Sequence, residues 1–301
     1  RNLDAWDLNK YLVEEIFLKK IYIPELKKKS ILLERAFYPE KNILLRNALA
    51  NADPRSAGIG NAVNCGAAMY AAPVGAVNAC DPEKAYAEAI NFFSAHQHSY
   101  GLEAAGVMAA CVASSFIDGI KENKIIEISI DIAKDGTKAA LSDIYNTALK
   151  ERKNKDDKDH IVERFHKIMS RYSTVKDNFN ITRDNIGKIN DNYVPSRTKS
   201  IEELPMAIGY LALHQNNYQN AIFDAVNSGR DVDSIGSMLG SIYGAIYGDI
   251  IVSEADRKLI KKNNKYDFDI IGEKFSKTCQ LIQKSNEIKS LNTRDLRKKL
   301  F

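Results

Sequence analysis

A segment near residues 232–248 carries a glycine at every fourth position, and this regularity constrains the fold more than any other feature. Gly236, Gly240, Gly244 and Gly248 would stack on one face of a helix. Because a glycine in a helix interior costs roughly 1 kcal/mol relative to alanine, four in register need a compensating gain. We expect close approach of neighbouring backbones to supply it, which predicts a buried, glycine-rich central helix.

Two carboxylates stand at the start of this helix. The stretch Gly229-Arg230-Asp231-Val232-Asp233-Ser234 brings Asp231, Asp233 and Ser234 to one end of it. Oxygen ligands on a rigid element suit a hard cation such as Mg²⁺ or Mn²⁺. Helix capping favours the same residues, because Asp and Ser are good N-caps and acids are stabilised near a helix N-terminus. The residues alone leave metal ligation and capping both open.

The composition excludes several classes of protein. The 301 residues are 45% hydrophobic, and 43 basic against 39 acidic residues give a net charge of +4. That balance is too mild to indicate a nucleic-acid partner, and no apolar run reaches the length of a membrane span. No signal peptide is recognisable, and four cysteines without metal-ligand spacing are interpreted as free thiols, which predicts a cytoplasmic protein: Cys65, Cys80, Cys111 and Cys279.

Helical periodicity dominates the chain, and only residues 125–132 carry a β-branched run. The predicted class is all-α, with a single compact domain over residues 1–301. Small residues concentrate in 66–118 and 204–248, which we expect to pack on each other as the core. Residues 173–200 are polar and are predicted to form a long surface loop that reaches toward a site.

Three stretches share one order along the chain: residues 60–75, with Asn64-Cys65-Gly66-Ala67-Ala68-Met69-Tyr70; residues 96–101, which begin with His96-Gln97; and residues 229–234. Together they resemble the ADP-ribosylglycohydrolase family over roughly residues 5–250. That family has an Asn-Gly-Ala-Ala-Met-Arg loop, a histidine-containing turn, and Gly-Gly-Asp-Thr-Asp-Thr before a small-residue helix.

The resemblance implies an all-α fold with two Mg²⁺ or Mn²⁺ ions in a central cleft. The ions would hold the ribose hydroxyls of an ADP-ribosyl group, on a small molecule or a modified protein, and position a water for glycosidic cleavage. Asp231, Asp233 and Ser234 would be metal ligands, and both aspartates would be catalytic. The implied substrate contacts are Asn64, Gly66, Met69, Tyr70, His96 and Arg230.

Three departures from the family pattern bear on this reading. An early Thr-Asp-Asp motif, which supplies the other metal ligands, has no counterpart, so we expect either a missing segment upstream of Arg1 or half a metal site. Tyr70 stands where the family has an arginine. Arg230 replaces a glycine, and it could contact a substrate phosphate or pair with a neighbouring acid.

Several residues keep a plain structural alternative. His96 could bind substrate or be a structural histidine, and Asn64 and Gly66 could approach a ligand or only form a turn. Cys65 is predicted to be a buried, inert thiol. Asp4 and Asp7 are predicted to be surface or capping residues.

Two functions of different class follow. The first is metal-dependent hydrolysis of a bond to an ADP-ribosyl or related ribosyl group. The second is a non-catalytic relative that binds a nucleotide or sugar phosphate in the same cleft. A third reading is an all-α scaffold in which the aspartate pair only caps a helix.

Overall fold

The computed structural model of the protein describes residues 1–35, 41, 43, 46–47, 49–172 and 199–300. The predicted surface loop at 173–200 lies almost entirely outside these residues. Twelve α-helices lie within the described ranges: α1 (Ala5–Lys10), α2 (Ala72–Val77), α3 (Pro82–Phe93), α4 (Ser99–Ser115), α5 (Glu122–Ile132), α6 (Asp135–Glu151), α7 (Lys158–Met169), α8 (Glu203–Leu213), α9 (Tyr218–Val226), α10 (Val232–Tyr247), α11 (Glu254–Asn263) and α12 (Phe268–Arg297). The all-α class is confirmed.

Within the described residues, β-structure is confined to the N-terminal region. Asp4 and Asp7 form a capping box at the start of α1, which confirms their predicted capping role. After π-helical turns at Tyr11–Phe17, a small antiparallel hairpin pairs β1 (Lys20–Ile23) with β2 (Lys28–Ile31). The sequence did not predict this hairpin, because its short, lysine-rich strands lack clear alternation.

Two helices form the centre of the core. Every residue of α8 is buried, and α4 is buried over most of its length. Small side chains let neighbours come close: a Cβ added at Gly106 of α4 would lie 2.8 Å from the ring of Tyr86 on α3. Because α10 contacts both α4 and α8, the two small-residue zones of the sequence do pack together, as predicted.

The glycine stripe of α10 does not lie where it was expected. The buried face of α10 carries Ser234, Ile235, Met238, Leu239, Ile242 and Tyr243. A Cβ added at Gly236 would lie 3.1 Å from Val226 Cγ1, one at Gly240 would lie 3.9 Å from Ile222 Cδ1, and one at Gly244 would meet no described atom within 4 Å. The predicted close backbone approach is therefore wrong, since the glycines lie about 100° around the helix from the core-facing residues.

Gly244 offers a direct test of this arrangement. We expect Gly244→Ala to raise the free energy of unfolding by up to about 1 kcal/mol, because alanine favours the helix and the added methyl meets open space. The matched control is Gly75→Ala in α2, whose Cβ would lie 2.5 Å from Ala109 O and should destabilise the protein. Urea unfolding measures both; a loss at Gly244 would show that another part of the chain covers this face.

Two further predictions from the sequence concern membrane-spanning segments and the state of the cysteines. No single helix in the described residues is long and apolar enough to cross a membrane, although Val232–Ile251 and Glu254–Asn263 meet the length and composition criteria as a pair bent by 110°. All four cysteines are free thiols, as predicted, and Cys80 is exposed whereas the other three are buried.

Candidate active site

The turn that leads into α10 has an unusual backbone. Gly229 and Arg230 are consecutive residues with positive φ, at 81° and 68°. Glycine adopts this conformation freely, whereas a residue with a side chain costs roughly 1–2 kcal/mol there. The Arg230 side chain compensates: its Nε donates to Glu202 Oε1 at 2.7 Å, and both side chains are only 3% exposed. This ion pair anchors the turn that delivers Asp231.

The same ion pair bears on the two roles considered for Arg230. A guanidinium buried against Glu202 beside the start of α8 is held inside the protein. Pairing with a neighbouring acid is thus realised, whereas the contact of Arg230 with a substrate phosphate stays a prediction.

Asp231 occupies the N-cap position of α10, but its side chain accepts no capping hydrogen bond from the helix. Its Oδ2 instead accepts from Cys65 Sγ at 3.2 Å. Burial raises the pKa of Asp231, and the nearby carboxylate of Asp233 raises it further. The capping alternative is thus not realised by the Asp231 side chain, which belongs to a crowded group of acids.

A third carboxylate, missed in the sequence, faces Asp231. The Cys65 Sγ and one carboxylate oxygen each of Glu203 and Asp231 lie within 4.8 Å of one another. Glu203 is 4% exposed and Cys65 is 5% exposed. The signal that could have identified Glu203 is its position: it is the only ionisable side chain at the start of the otherwise apolar α8.

Cys65 is buried, as predicted, and its surroundings keep it protonated. Burial raises the pKa of its thiol strongly, and the negative charges of Glu203 and Asp231 raise it further. A neutral S–H that donates to Asp231 is a poor nucleophile. The thiol nevertheless lies at the centre of the candidate site, which its sequence context did not indicate.

The loop before Cys65 is held by its own hydrogen bonds. Asn64 Oδ1 accepts from Gly66 N and from Gln97 Nε2, both at 2.8 Å. On the other side of the loop, a Cβ at Gly101 would lie 2.6 Å from Asn64 O. Asn64 and Gly66 form this turn, and their contact with substrate stays a prediction. Cys65, one residue after Asn64, is the residue that faces the acids.

Met69 and Tyr70 join this loop to α10 and to the histidine turn. Ser234 Oγ donates to Met69 Sδ at 3.5 Å. The Tyr70 hydroxyl shares a hydrogen bond with His96 Nδ1, and their rings stack with centroids 5.7 Å apart. His96 is 2% exposed, whereas Met69 and Tyr70 are 41% and 39% exposed. His96 therefore supports Tyr70 from behind, while Met69 and Tyr70 present the accessible surface.

A cavity of about 950 Å³ adjoins this surface. Met69, Tyr70 and His96 form part of its wall, and the rest is mainly apolar side chains from α1, α2, α3 and α12. Its volume is that of a small-molecule site. Met69 contacts both the cavity and Ser234 and so links the two, although Asp231 and Asp233 do not line the cavity.

The three stretches singled out in the sequence thus meet at one place, although the metal and catalytic roles of their residues remain predictions. The structure is thus that of an all-α protein with a cluster of acidic side chains, which is a candidate cation site, and with a cavity of the size that binds a small molecule. The sequence profile of the family described as ADP-ribosylglycohydrolase matches residues 32–280, so the chain belongs to the ADP-ribosylglycohydrolase family. The family is generally metal-dependent and acts on ADP-ribosylated substrates. No curated protein matches the chain.

Proposed function

We propose that this protein is a metal-dependent hydrolase of the glycosidic bond to an ADP-ribosyl or related ribosyl group. The observation that carries the proposal is the Asp231 carboxylate. It lies at the start of a helix without capping it, is crowded by Asp233, and is joined through Ser234 and Met69 to a cavity of about 950 Å³.

The donor set fits a hard divalent cation. Asp231 and Asp233 supply carboxylate oxygens and Ser234 supplies a hydroxyl on the same helical turn, and such ligands suit Mg²⁺ or Mn²⁺. The raised pKa of Asp231 reflects buried negative charge that a cation would compensate. These residues would hold one ion; the second ion implied by the family stays a prediction tied to a Thr-Asp-Asp motif that this sequence lacks.

When bound, the cation would supply a fixed positive charge that orients the ribose hydroxyls and lowers the pKa of a water. The protein's own side chains would orient the metal ligand, stabilise the developing charge and limit access of water. Cys65 holds Asp231 in one orientation through its S–H. Positive charge that develops on the ribose as the bond breaks is stabilised by the carboxylates of Asp231 and Asp233. Met69 and Tyr70 form a wall that keeps water from one side.

Among the described residues, the cavity wall offers few cations for a diphosphate. Tyr70 stands where the family has an arginine, Arg230 is buried against Glu202, and Arg1 is the basic residue in the described cavity wall. The small number of cations in the described wall suits a ribosyl substrate with few phosphates at least as well as a full ADP-ribosyl group. It also keeps the alternative of a non-catalytic relative that binds a nucleotide or sugar phosphate in this cleft.

A substrate screen separates hydrolase from binder. The protein would be incubated with N-linked and O-linked ADP-ribosyl compounds and with simple nucleosides, in Mg²⁺, Mn²⁺ or excess chelator. We expect chromatography to show release of the free sugar moiety only when a cation is present. Ligand binding detected by calorimetry without any product would support the binder, and hydrolysis unaffected by the chelator would contradict the metal site.

A further inference from the structure

Cys65 and Glu203 are buried at the candidate site, and the proposed reaction assigns a metal ligand role to neither. We propose that Cys65, Glu203 and Asp231 form a second cation site, one that takes a thiophilic divalent ion such as Zn²⁺. This site shares Asp231 with the proposed Mg²⁺ site, so the two ions compete. That zinc would inhibit hydrolysis by displacing Mg²⁺ rests on the proposed function, whereas zinc binding itself does not.

The geometry is suitable for a small ion. Three ligand atoms that lie within 4.8 Å of one another always leave a point within about 2.8 Å of each. Zinc lies about 2.3 Å from a cysteine sulfur and about 2.0–2.2 Å from a carboxylate oxygen. Shifts of less than roughly one ångström would therefore complete the coordination, and Cys65 Sγ and Asp231 Oδ2 are already 3.2 Å apart.

The ligand chemistry distinguishes this triad from the Asp231–Asp233–Ser234 group. A thiolate is a soft ligand that selects Zn²⁺ over Mg²⁺, whereas three oxygen donors favour the hard ion. The three zinc ligands come from separate elements, namely the loop before α2 and the starts of α8 and α10. Since Cys65 and Glu203 are almost completely buried, water competes weakly for a bound ion.

Zinc binding changes the protonation of the site in a defined way. The Cys65 S–H donates to Asp231 in the metal-free protein, so the thiol proton leaves when the S–Zn bond forms. That proton passes to the buffer, and no electron is transferred. Calorimetry in buffers of different ionisation enthalpy should therefore report a net release of protons on zinc binding.

The experiment uses the whole chain and two metals as probes. We expect Zn²⁺ to bind with one-to-one stoichiometry in calorimetry. Co²⁺ in the same site should show the near-ultraviolet charge-transfer absorption of a cobalt–thiolate bond. Cys65→Ser and Glu203→Gln should each weaken zinc binding at least about tenfold. The matched control, Cys80→Ser, removes an exposed thiol elsewhere and should leave zinc binding unchanged.

The outcomes separate this inference from the hydrolase proposal. The thiol site would be overturned if Cys65→Ser kept both the zinc affinity and the cobalt band. The variant must have the same unfolding midpoint as the wild type for this comparison. Cysteine-dependent zinc binding in a protein that hydrolyses nothing would sustain the site and remove the proposed activity. Magnesium-dependent hydrolysis without cysteine-dependent zinc binding would do the reverse.

Discussion

Asp231→Asn should abolish the Mg²⁺ binding measured by calorimetry and lower the rate of ribosyl hydrolysis by at least about 100-fold. The reason is that the substitution removes an anionic ligand, and even residues that only support metal ligands contribute roughly 10–100-fold. Asparagine keeps the size of the side chain and removes the repulsion with Asp233 that raises the pKa of Asp231. We therefore expect the metal-free variant to be at least as stable as the wild type.

This combination of lost binding and retained stability is what separates a metal ligand from a structural residue. The matched control is Asp249→Asn, because Asp249 is an exposed acid that follows α10 and pairs with Arg257 on the surface. Calorimetry should find the same Mg²⁺ affinity in that variant as in the wild type. Unchanged binding in Asp231→Asn would refute the ligand assignment.

Glu202→Gln should lower the free energy of unfolding by about 3–5 kcal/mol, because it removes the negative charge from the buried ion pair that Glu202 forms with Arg230. Both members of the Arg230–Glu202 pair are 3% exposed, and the pair anchors a turn with two consecutive positive-φ residues. Urea unfolding measures the change. Asp249→Asn again serves as the control, since an exposed ion pair contributes at most about 1 kcal/mol.

The consequence of Glu202→Gln should extend beyond stability. If the ion pair holds the turn, the variant should also bind Mg²⁺ more weakly, because Asp231 follows that turn directly. A loss of under 1 kcal/mol with unchanged cation affinity would mean that other contacts carry the turn and that the pair is incidental.

The class of the fold and the meeting of the three motifs were predictable from the sequence. Helical periodicity and the order of the 60–75, 96–101 and 229–234 stretches were sufficient, and the family profile confirms the resemblance, over residues 32–280 rather than 5–250. The sequence also predicted that Cys65 would be buried. Each of these inferences depends on a local residue pattern or on the order of the motifs, and both can be read directly from the sequence.

What failed depended on angles of rotation that a sequence does not state. Placing the glycines of α10 on the core face erred by one residue, or about 100° around the helix. Cys65 was predicted to be buried and inert, and its contact with Asp231 was not predicted. Glu203 was interpreted as part of a helix start that fits the family pattern and was given no site role, because Asp231 is distant in the chain and nothing local links the two residues.

The single-domain organisation and the cytoplasmic location remain predictions. The metal and catalytic assignments of Asp231, Asp233 and Ser234 also await the experiments described above. Arg230 forms the buried ion pair that was one of its two expected roles, and its contact with a substrate phosphate also remains a prediction.

The contact between Cys65 and Asp231 joins residues 166 positions apart, and this separation has a consequence for the order of events in folding. Local stretches can coil into helices early, yet no fragment that ends before residue 231 would contain both atoms. Zinc affinity at the Cys65–Glu203–Asp231 site should therefore arise only when these distant segments have docked. A titrated metal would then report the completion of refolding more faithfully than helical content does.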